Sequence, residues 1–174
     1  HSGMTLAESN ADQRMEPASI TKLMTTYIIF NELREGRLKL DEMVRISKKA
    51  WRMEGSRTFV EVNSTVPVTT ILKGIMDQSG NDASVALAEL NAGSEETFAS
   101  LMNQTAKKIG MKFTNYVNST GWPHPEHYTT AKDIALLARV MIKEHPEYYS
   151  YYSEKEFKYN GIKQHNRNRL LWRD

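Results

Sequence analysis

Residues 83–90, Ala-Ser-Val-Ala-Leu-Ala-Glu-Leu, are apolar on nearly every face. A helix of that kind is stable only where other elements surround it, so it predicts a central helix packed on all sides. Four further segments repeat apolar residues at helical spacing around it. Ile20, Leu23, Met24, Tyr27 and Ile28 open a helix from Ser19 to about Glu35, with Pro17 ahead of its first turn and Gly36 as its stop. Val68 to Met76 reads as a second buried helix. Ser94-Glu95-Glu96 resembles the entry to another that ends at Gly110, and Thr129 or Thr130 caps a last one over 131–143.

Strand signals are sparse. Val44 to Ile46 reads as a short strand and Ser47 to Trp51 as a short helix, while Thr58 to Val62 alternates weakly. Asn160-Gly161, between Glu156–Tyr159 and Ile162–Gln164, is the strongest hairpin signal in the chain. Asn118 to His127, with two prolines and a glycine, is loop. The expected fold is mainly α with one small β-hairpin, in a single domain over 1–174, a length that suits one sizeable core.

Composition narrows the function. Basic residues are scattered and the net charge is only +2, so no nucleic-acid footprint is expected. There is no cysteine, which excludes disulfides and thiolate metal sites. No apolar run approaches the roughly 20 residues of a membrane span, and no export signal opens the chain. His1-Ser2-Gly3 and Leu171-Trp172-Arg173-Asp174 do not read as domain boundaries, which suggests a trimmed piece.

Two constellations carry chemistry. In Ser19-Ile20-Thr21-Lys22, serine and lysine sit three apart, on one helix face. A serine hydroxyl needs a base, and a lysine serves when its pKa is lowered. Alone, the pair could equally be an N-cap and a solvated lysine. In Ser79-Gly80-Asn81, serine can relay a proton and asparagine can hold an amide, although the same triplet suits an ordinary turn. Among the remaining candidates, His124 and His127 read as loop residues, Trp51, Trp122 and Trp172 as packing residues, and Tyr148, Tyr149, Tyr151 and Tyr152 as an aromatic cluster.

Together these motifs match the S-x-x-K and S-D-N set of penicillin-binding proteins and class A β-lactamases. The strings Pro17-Ala18-Ser19-Ile20-Thr21-Lys22-Leu23-Met24-Thr25, Gln78-Ser79-Gly80-Asn81-Asp82-Ala83, Tyr152-Ser153-Glu154-Lys155-Glu156-Phe157 and Asn166-Arg167-Asn168 resemble low-molecular-mass D-alanyl-D-alanine carboxypeptidases. The resemblance implies the helical part of the α+β β-lactamase/transpeptidase-like fold, with most of the central sheet missing. It implies Ser19 as the acylated nucleophile, Lys22 as base, Ser79 in the proton network and Asn81 on the substrate amide, with no metal or organic cofactor. Its implied partners are the peptidoglycan pentapeptide and β-lactam antibiotics, in the periplasm or on the outer face of the bacterial cytoplasmic membrane, with a membrane-associated parent enzyme.

The third motif, Lys-Thr-Gly, occurs nowhere in the sequence. A catalytically inactive helical module and a β-lactamase-like hydrolase are the alternatives, and an exposed sheet-facing surface would favour a homodimer. Asp77 and Asn91 interrupt apolar stretches where related sequences often carry aliphatic or small residues. They read either as natural variation or as substitutions that solubilise an exposed face.

Overall fold

A computed structural model describes residues 3–173. His1, Ser2 and Asp174, which belong to the termini read above, lie outside the described residues.

The Ser19 segment opens as a tight 3-10 turn, Ala18–Thr21, that runs into α1, Lys22–Arg34. There follow β1 (Met43–Arg45), α2 (Lys48–Trp51), β2 (Thr65–Pro67), α3 (Val68–Gln78), α4 (Asn81–Ala92) and α5 (Glu95–Ile109). A long loop leads to α6 (Ala131–Glu144), α7 (Pro146–Tyr149), and the strands β3 (Glu156–Tyr159) and β4 (Ile162–His165).

The apolar segment becomes α4, whose residues 81–88 are all buried. It packs against α1, α2, α3, α5 and β1, so it is the central helix expected of its composition. Met24, Ile29, Phe30, Ile71, Leu72, Leu87, Phe98 and Leu137 form the shared core. Side-chain caps set the helix starts: Ser94 Oγ accepts from Thr97 N at 3.1 Å and Thr130 Oγ1 from Asp133 N at 3.1 Å. Gly110, at φ 92°, ends α5 in the left-handed conformation that glycine adopts freely.

The described residues hold two antiparallel two-stranded sheets, β1–β2 and β3–β4. The second is the expected hairpin: Asn160 and Gly161 both have positive φ, and Glu156 pairs with His165. This mostly helical architecture agrees with the expected fold class.

Three details depart from the sequence reading. The weakly alternating 58–62 segment forms no strand, because its backbone N–H groups bond the Asp82 carboxylate instead of a neighbouring strand. The partner of β1 is β2, three residues that pair Met43 with Pro67 and are too short to show a period. Asp77 is 1% exposed and half-buried Asn91 has a buried Oδ1 without a partner, so the solubilising role fails: an acid sealed from water solubilises no face.

Candidate active site

The turn into α1 places Ser19 one turn before Lys22. Lys22 Nζ donates to Ser19 Oγ at 3.2 Å and to the Thr120 carbonyl at 2.8 Å. The side chain is only 4% exposed and forms no ion pair among the described residues. Burial, reinforced by the nearby Arg167 guanidinium and opposed by Asp82, brings its pKa down from 10.5 to about 8. Near pH 8 a substantial fraction of this amine is therefore neutral, with a lone pair within reach of a serine hydroxyl.

Ser79 comes from the end of α3. Its backbone turns left-handed at φ 59°, which ends the helix and starts the sharp bend into α4. Ser19, Lys22 and Ser79 line one cavity of about 130 Å³, walled by Leu23, Ile75, Met76 and Tyr152. A larger groove of about 730 Å³ between α1, α5 and α6 shares none of these residues.

Asn81 is placed differently. Its amide Nδ2 donates to the Glu54 carbonyl at 2.7 Å and its backbone N to Ser56 O at 2.7 Å, so it secures the 54–56 loop and does not line the cavity. Of the four expected site residues, the structure brings together Ser19, Lys22 and Ser79 and sets Asn81 behind them.

Several supporting residues escape sequence reasoning. Asp82 is fully buried in the first turn of α4 and gathers the backbone N–H groups of Thr58, Phe59, Val60 and Ala83. Glu95 Oε1 accepts from Ser119 N at 3.1 Å and Ser119 Oγ at 2.8 Å, which fixes the loop whose Thr120 carbonyl holds Lys22. Thr25 Oγ1 adds a bond to Ser119 O at 2.7 Å. The loop also presses on the Ala18–Thr21 turn at Gly121, where a Cβ would meet the Ala18 carbonyl oxygen at 1.7 Å. The helical spacing of Asp82 and Glu95 marks both as first-turn acids, a position explained well enough by the helix dipole. The proximity of loop 118–122 arises only in the folded chain.

His127 is a loop residue, as expected, but a buried one. Its Nδ1 accepts from Val117 N at 3.1 Å, so the ring proton sits on Nε2 and is donated to Thr21 Oγ1 at 2.8 Å. Burial, with a smaller contribution from His124, lowers its pKa from 6.5 to about 4. The unfolded chain therefore binds a proton that the folded one refuses between about 6.5 and 4. This contribution to stability is complete above about pH 6.5 and is lost as pH falls through about 4, a change of about 3 kcal/mol. Urea unfolding at pH 7 and pH 4, compared between wild type and His127→Gln, checks it. A wild-type pH slope that survives the substitution would assign the effect elsewhere.

The D-alanyl-D-alanine carboxypeptidase family model matches residues 1–174. D-alanyl-D-alanine carboxypeptidase DacC of Escherichia coli is 45% identical over 98% of this chain, and DacA of the same organism 43% identical over 99%. This chain spans 44% of the length of each. Among solved structures, penicillin binding protein 5 from Haemophilus influenzae superposes with a TM-score of 0.93 at 40% identity, covering 96% of this chain and 49% of that one. The carboxypeptidase DacD from Francisella tularensis gives 0.90 at 44%, covering 95% of this chain and 40% of its own. A match this long and this similar places the chain in the D-alanyl-D-alanine carboxypeptidase family.

Proposed function

We propose that this chain carries the nucleophile, base and proton relay of a serine-type D-alanyl-D-alanine carboxypeptidase acting on peptidoglycan stem peptides. The observation that supports this most directly is the buried Lys22 amine, 3.2 Å from Ser19 Oγ, with its pKa lowered to about 8.

In this reading neutral Lys22 takes the Ser19 proton as Oγ attacks the carbonyl of the penultimate D-alanine. The tetrahedral intermediate collapses when the leaving amide nitrogen receives a proton, passed from Lys22 by way of Ser79. D-alanine departs, and water hydrolyses the ester on Ser19 with Lys22 again accepting a proton. A β-lactam ring opens by the same attack and leaves its acyl group on Ser19. Asn81 serves the substrate amide after its bond to the Glu54 carbonyl is exchanged, or acts by holding the 54–56 loop. The pentapeptide stem sets the place of work: the periplasm or the outer face of the bacterial cytoplasmic membrane, in a membrane-associated parent enzyme. No helix among the described residues is long and apolar enough to cross a membrane.

Incubation with benzylpenicillin, followed by intact mass and peptide mapping, tests the reading. One penicilloyl adduct on Ser19 is expected, absent from Ser19→Ala. A folded sample that stays unmodified at millimolar penicillin would favour the inactive helical module. Rapid loss of the adduct with turnover of the antibiotic would favour the β-lactamase-like hydrolase.

A further inference from the structure

Asp77 is a carboxylic acid in the last turn of α3, 1% exposed, two residues before Ser79. Its Oδ1 accepts from Asn166 Nδ2 at 3.0 Å, while its Oδ2 is buried with no partner. Asn166 is itself buried, just beyond β4. The same Nδ2 also faces the carbonyls of Glu154, at 2.9 Å, and Tyr152, at 3.4 Å, and its backbone N donates to Lys155 O at 2.8 Å. The next residue, Arg167, donates its backbone N to the Asp77 carbonyl at 3.2 Å. One acid and one amide thus join both ends of the hairpin segment to the end of α3.

Tyr152 belongs to the joined segment and walls the Ser19 cavity, with its hydroxyl 2.7 Å from Thr26 Oγ1 on α1. We propose that Asp77 and Asn166 form a latch that fastens segment 152–168 to the end of α3 and thereby positions Tyr152 and Ser79 at the Ser19 cavity. Asp77 is a positioning residue in this scheme. The positioning claim rests on the reading of Ser19 as the acylated residue, whereas the latch itself does not.

The latch depends on pH. The charged groups facing Asp77 are Lys73, from its own helix, and Glu154, from the fastened segment, and these pair with each other at 2.7 Å. The Arg167 guanidinium is turned to Ser56 Oγ at 2.8 Å. Burial first, and Glu154 second, raise the Asp77 pKa from 3.8 to about 7, against the smaller opposing effects of Lys73 and Asn166. Neutral Asp77 suits the site, because one oxygen has a donor and the other has none. The ionised form leaves a charged oxygen buried without a partner, which is costly. The stabilising contribution of the latch is therefore whole below about pH 4 and is lost as pH rises through about 7.

Hydrogen exchange followed by mass spectrometry at pH 6 and pH 8.5, corrected for intrinsic rates, reads the latch directly. Protection of segment 152–168 is expected to fall roughly tenfold in wild type and to stay level in Asp77→Asn, which keeps the acceptor and cannot ionise. Asp77→Leu should likewise lack the pH dependence. A wild-type protection that does not change, or an Asp77→Asn variant that loses protection as wild type does, overturns the latch.

Penicillin acylation of the full chain reads the positioning. The rate of Asp77→Asn relative to wild type is expected to rise roughly three- to tenfold from pH 6 to pH 8.5, since small misplacements at a reacting centre are expensive. A constant ratio overturns the positioning role. A wild-type chain that never acylates overturns the Ser19 reading, and the positioning role with it, while exchange still decides the latch.

Discussion

Replacing Lys22 with alanine is expected to slow penicilloylation of Ser19 about 10³-fold, the usual size of a lost general base. The amine is the only base within hydrogen-bond reach of Ser19 Oγ among the described residues, at 3.2 Å. The pH profile supplies a second signature. Because the proposed mechanism uses the neutral amine, whose pKa lies at about 8, the wild-type rate should rise with pH and level off above that value. Lys22→Ala should lose the inflection along with the rate. Lys22→Arg should be as slow, since a guanidinium stays charged across the range. Stopped-flow or quenched mass-spectrometric rates decide the matter: an alanine variant within tenfold of wild type, with the same inflection, would mean that another group takes the proton.

Asp82→Ala is expected to cost the fold about 3–5 kcal/mol, more than a typical surface or single-contact change. The carboxylate is completely buried and accepts from Thr58 N at 2.8 Å, Phe59 N at 2.9 Å, Val60 N at 3.3 Å and Ala83 N at 2.9 Å. Removing it orphans several backbone donors at once. It also releases Phe59, held at φ 64° with its ring 58% exposed, a conformation that a phenylalanine does not keep unaided. Urea unfolding gives the magnitude, and a loss under about 1 kcal/mol would show that the 58–60 loop finds other partners. Asp82→Asn, which keeps some acceptor capacity, should lose less. Because Asp82 raises the Lys22 pKa, its neutral replacement should also move the acylation inflection below pH 8.

The parts of this molecule that were legible in sequence are those set by local rules. The all-apolar face of 83–90 made α4 central, Ser94 and Thr130 announced helix starts, and Asn160-Gly161 announced the hairpin. The serine–lysine pair was legible for the same reason, since a three-residue spacing on a helix fixes which side chains share a face. What the sequence concealed depends on distant segments meeting. The carbonyl that holds Lys22 lies 98 residues away, and the histidine that orients Thr21 lies 106 away. Neither spacing carries a periodicity to detect. The 58–62 segment misled because alternation reports which side chains face inward, whereas here one carboxylate claims the backbone donors a strand would need. Asp77 misled for a related reason: an acid among apolar neighbours suggests an exposed face unless its amide partner, 89 residues on, is known.

The burial of Lys22 has a consequence for any population of variants. Lowering its pKa from 10.5 to about 8 corresponds to about 3 kcal/mol of unfavourable free energy for the charged amine at neutral pH, relieved only as pH climbs toward 10.5. An unbranched apolar residue such as methionine would fill the same space without that penalty. A library sorted by heat tolerance alone would therefore enrich such replacements at position 22 and discard the amine early, whereas sorting by covalent antibiotic capture would keep it. On the proposed mechanism, heat tolerance and chemical competence are opposed at this one side chain.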